Sequence, residues 1–104
     1  MKKISEMTKS YDTIATAIYL LKNAPDAEYH EPNSKGRGEV IYLNPYGKDA
    51  PLTTWIVEST FGVGPDPDHK GAFIIADAYG TALLCGVEDV ELSNAYNERK
   101  STII

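Results

Sequence analysis

Apolar residues recur at Ile4, Met7, Tyr11, Ile14, Ile18 and Leu21, spaced three, four, three, four and three apart. That is an unbroken stripe along one face of a helix, and it predicts a helix over about residues 5–23. Ala15, Ala17 and Leu20 widen the stripe. Pro25 ends the helix, because proline disfavours helical angles at the residue before it. The start falls near Ser5, or at Ser10 acting as an N-cap. The repeat is too short for a coiled coil. The helix is therefore expected to lie on a sheet, with Ile14 and Ile18 buried within the chain.

Beyond the helix the pattern shortens to strand-like runs. Residues 26–38 are rich in Pro, Asn, Ser and Gly and predict an exposed loop that carries His30. Strands are predicted at about 39–43, 53–61, 72–77, 81–85 and 89–92. Trp55, Val57 and Phe61 share one face of the longest, with Trp55 as a core anchor. Asn44-Pro45-Tyr46-Gly47 is a turn. Asp77-Ala78-Tyr79-Gly80 closes a hairpin in which Gly80 takes the positive φ that Tyr79 could adopt only under strain. Gly86 breaks the strand after it, and Glu88-Asp89 turn into the last strand. The polar tail 93–104 is a short helix or a frayed end, with Ile103 and Ile104 tucked against the body.

One domain of α+β class follows: an N-terminal helix packed on a small, strongly curled antiparallel sheet, or an SH3-like barrel, of about five strands. The chain's 104 residues suffice for a core without staples. Cys85 is the only cysteine and lies in an apolar run, so it reads as a buried, inert thiol in a reducing, cytoplasmic setting. No apolar run approaches the length of a membrane span.

Charge changes the picture more than composition does. The net charge is −5. Residues 1–24 carry four lysines against two acids, whereas residues 49–92 carry eight acids against Lys70 alone. Such a region repels a nucleic-acid backbone and favours a basic partner.

Candidate chemistry is sparse. Asp66, Asp68 and His69 sit in the Pro- and Gly-rich segment Gly62–Gly71, but their spacing lacks the rest of a calcium loop. Gly62-Val63-Gly64 lacks the Lys and Ser/Thr of a phosphate loop. Neither histidine has a second ligand or a nucleophile at a telling spacing. No catalytic residue, metal ligand or cofactor is therefore assigned. The expectation is a small acidic, non-catalytic protein-binding module, an inhibitor or accessory protein of the kind phages carry, docking on a basic surface of a larger protein. Its contacts are expected at Tyr46, Asp66, Asp68, Tyr79, Glu88 and Glu91, the tyrosines because aromatic side chains are enriched at interface centres. The alternatives are a small ligand- or metal-binding protein or enzyme built on the Gly62–Gly71 loop, and a self-associating subunit.

Overall fold

The apolar stripe folds as α1, Ile4–Asn23, in a computed structural model that describes residues 4–35, 38–47 and 60–103. Its C-terminal half buries Ala17, Leu20 and Leu21, followed by Ala24 just beyond the helix. Ile14 and Ile18 pack against the same core but are only partly buried. The buried line thus combines Leu21 of the predicted stripe with Ala17 and Leu20, which widen it.

Among the described residues five strands follow: β1 Asp26–His30, β2 Val40–Asn44, β3 Phe61–Pro65, β4 Phe73–Ala76 and β5 Ala82–Val87. They pair antiparallel in chain order, β1-β2-β3-β4-β5, as a meander. A final helix, α2, spans Val90–Ile103. The fold is α+β as expected. The sheet is neither strongly curled nor closed into an SH3-like barrel; among the described residues β1 and β5 are edges that do not pair with each other.

Register fixes which residues share a face. Tyr29, Ile41, Val63, Ile75 and Leu84 lie in one row across all five strands. Ile41, Val63 and Ile75 are fully buried, joined by Leu43 one step along and by Leu21 and Leu92 from the helices. Each such side chain contributes roughly 1.5–3 kcal/mol through burial.

The other face of the sheet is built differently. Gly62 and Gly64 belong to β3 and have no positive φ, so they are strand residues and form no phosphate cradle. A Cβ on Gly64 would lie 1.9 Å from the Glu39 carbonyl oxygen, and one on Gly62 would lie 2.9 Å from the Tyr42 ring. Glycine is required here because neighbouring groups lie directly on the strand.

Several expectations are corrected. Residues 26–30, read as part of a loop, form the edge strand β1. Ala27 and Tyr29 do alternate there with Asp26, Glu28 and His30, but two apolar residues in five leave the run too polar to stand out from the loop that follows. The strand expected at 89–92 is the start of α2, and the polar tail is the rest of it. Asp89 caps this helix by accepting from the Leu92 N–H at 2.9 Å. Leu92, Ala95 and Tyr96 form its buried side, a helical spacing that the alternation Val90-Glu91-Leu92 conceals. Cys85 is exposed, not buried. The strand expected at 53–61 reaches the described residues only at Thr60 and Phe61; Trp55 and Val57 lie outside them.

A polar latch holds α2 to the sheet. Glu39, just before β2, accepts from the Tyr96 hydroxyl at 2.8 Å and from the Lys100 ammonium. That ammonium also sits 5.5 Å from the centre of the Tyr29 ring. Burial alone would raise the Glu39 pKa, but the donors from Lys100 and Tyr96 outweigh it and hold the carboxyl below its usual range. At the far end of α1, Arg99 donates to the Ala24 carbonyl at 2.7 Å.

Candidate binding site

The six residues expected at the interface fall into three groups. Asp66 is one of them, and it is 6% exposed. Its carboxylate accepts from the Asp68 N–H at 2.9 Å and from the Gly86 N–H at 2.7 Å, and pairs with His69 Nδ1 at 3.0 Å. The backbone of the same loop is closed by Asp66 N–H to the Ala72 carbonyl and Ala72 N–H to the His69 carbonyl, both at 3.0 Å. Asp66 is thus a clip that fastens the β3–β4 loop to β5. The Asp68 N–H, opposed by burial but helped by Gly86 and His69, holds its carboxyl below the usual range. Asp66, expected among the partner contacts, is buried, with its oxygens already used within the chain.

The clip brings Asp68 to the same end of the molecule as the β5–α2 corner. There Gly71, Glu88, Asp89, Val90 and Ser93 line a concavity of about 330 Å³. Glu88 and Glu91 are exposed, and Val90 is 78% exposed between them. A neighbouring concavity of about 290 Å³ is lined by Ile14, Ala15 and Ile18 of α1 together with Asp89 and Glu91. The corner therefore joins part-exposed apolar surface to a rim of carboxylates. Val90 is an exposed apolar residue at this corner that the sequence did not single out: an isolated valine between two acids gives no signal until the helix begins there.

Tyr46 and Tyr79 stand at the opposite end of the sheet. Tyr46 is in the turn after β2 and Tyr79, 80% exposed, in the turn between β4 and β5. The four residues of β4 separate the ends by about 14 Å. Asp77 is spent inside its own turn, accepting from the Tyr79 and Thr81 N–H groups, both at 2.9 Å.

The open sheet face offers less. Val40, Tyr42, Pro65, Pro67, Ile74 and Ala76 line about 200 Å³, below the size of common ligand pockets. Beside it, Glu28 and His30 flank Tyr42, but their side chains face each other at 3.4 Å. The His30 ring meets Tyr42 edge-on at 4.9 Å, so it belongs to a strand and not to the expected solvated loop. Among the described residues no three His, Cys, Asp or Glu side chains gather as a metal-ligand set. No helix there is long and apolar enough to cross a membrane.

Comparison with known protein families, characterised proteins and solved structures finds no match, so function must be argued from this chain's own residues.

Proposed function

We propose that the protein is a small non-catalytic binding module that docks a basic surface of a larger partner onto the corner between the β3–β4 loop and α2. One observation supports this reading above the others: Val90 is largely exposed at a corner that also carries the carboxylates of Glu88, Asp89 and Glu91. Interfaces take their affinity from a desolvated apolar centre and their approach rate from charge at the rim. Isolated exposed ion pairs contribute only about 0–1 kcal/mol each, so the acids need such a centre. Val90, with Ile14 and Ile18 beside it, supplies that centre. Lys70 is the only Lys or Arg between Thr60 and Glu98, so the local field stays acidic.

The test uses a partner captured from a lysate of the source cells by immobilised wild-type protein, then purified. Val90→Asp should speed dissociation at least tenfold, whereas Asp68→Lys, Glu88→Lys and Glu91→Lys together should slow association. A complex indifferent to both changes would rule out this surface.

A further inference from the structure

We propose that β5 pairs with β5 of a second copy of this chain, joining two sheets edge to edge across a two-fold axis. The two edges of the sheet are guarded very differently. β1 carries Asp26, Glu28 and His30, the charged type of edge that resists adding another strand. β5 reads Ala-Leu-Leu-Cys-Gly-Val, with no charge and no proline. Ala82, Leu83 and Cys85 are exposed, Leu83 by 46%. Among the described residues β5 pairs only with β4. An uncovered apolar edge of this kind is a template for another strand.

Charge selects both the occupant and its direction. Acidic residues follow β5 closely, at Glu88 and Asp89, while Gly80 and Thr81 precede it. Antiparallel pairing sets the acidic end of one copy beside the neutral end of the other. Parallel pairing would set Glu88 against Glu88. A two-fold interface uses the same patch on both copies, which suits a strand that carries no charge to repel itself. The Gly86 N–H is turned to Asp66, and two register irregularities interrupt the β4–β5 ladder, one between Leu84 and Val87 and one between Ala82 and Leu84. With the Gly86 N–H already taken, the stretch left for pairing is Ala82–Cys85, itself interrupted once. Pairing over so few residues, between two chains of net charge −5, makes a weak dimer that salt strengthens by screening.

Sedimentation of the full chain under reducing conditions tests this, from about 10 µM to about 1 mM protein. The wild type should pass from 11.4 kDa toward twice that mass, at lower concentration in about 500 mM than in about 50 mM salt. Leu83→Lys should remain monomeric throughout, and Glu28→Lys on the other edge should dimerise like the wild type. Hydrogen exchange on the wild type, which needs no variant to fold, should slow at Ala82–Cys85 as the dimer forms. A wild type monomeric at every concentration, a dimer that Leu83→Lys leaves intact, or unchanged exchange across Ala82–Cys85 in a dimer would each overturn the proposal.

Discussion

Asp66 and Asp77 stand at opposite ends of β4, and both carboxylates accept backbone N–H groups. Asp77 serves only its own turn, reaching Tyr79 and Thr81. Asp66 reaches Gly86, twenty residues along the chain, as well as Asp68 and His69. One closes a hairpin locally; the other ties a loop to a distant strand. The contrast decides what each end presents to solvent. At the Asp77 end the exposed groups are Tyr46 and Tyr79. At the Asp66 end they include Asp68, Glu88, Glu91 and Val90, with His69 and Lys70 of the same loop also exposed. An acid-rich stretch of sequence is therefore not one surface: some of its members are buried in holding the fold and others face solvent.

Removing each carboxylate should show this division most strongly. Asp66→Ala leaves the Gly86 N–H without its acceptor and should lower Tm by roughly 10 °C, read by calorimetry. Asp77→Ala should cost less than half of that, because only a solvent-edged turn is lost. Equal losses would erase the contrast.

Acid should expose the same difference. The Asp66 carboxyl titrates lower in the folded chain than in the unfolded one. Its stabilisation is complete above the unfolded value, near 4, and is lost as pH falls through the depressed folded value. Glu39 has the same sign. Lys100 has the opposite one: its raised pKa stabilises fully below the unfolded value and is lost as pH rises through the folded value, above about 10. Asp66→Asn should flatten the acid limb of stability against pH, leaving the part due to Glu39, while the alkaline limb stays unchanged. An acid limb identical to the wild type would remove Asp66 from the account.

Smaller effects should come from glycine. Gly86 and Gly80 both hold positive φ, +62° and +83°. Alanine at either position costs about 1–2 kcal/mol in that conformation. The surroundings add little, since a Cβ at Gly86 would approach the His69 ring no closer than 3.7 Å. Urea midpoints that fall alike in both variants fit this. A much larger loss at Gly86 would mean that the clip depends on more than backbone angle.

What the sequence disclosed follows the same line. The helix stripe, the hairpin with Gly80, and strands near 39–43, 72–77 and 81–85 rest on neighbours in sequence, and their signals are local. The Asp66–Gly86 bond joins residues whose proximity only the finished sheet creates. β1 hid because an edge strand with three charged or titratable residues in five resembles a loop. α2 hid because its first residues alternate and its buried side emerges only over Leu92, Ala95 and Tyr96. The acidic bias of residues 49–92 was legible; which acids were already spent in the fold was not.

The claim at the centre is that the exposed acids Asp68, Glu88 and Glu91, and not the buried Asp66, steer a basic partner. The decisive measurement is the association rate of that partner against salt, for the wild type and for the Asp68→Lys, Glu88→Lys, Glu91→Lys variant. Surface changes of this kind should leave folding stability within about 0.5 kcal/mol per site. The wild-type rate should fall at least tenfold between about 50 and about 500 mM salt, and the variant should be slow and nearly salt-independent at both. Equal rates and equal salt dependence for the two proteins would contradict the account and reduce the acidic corner to solvation.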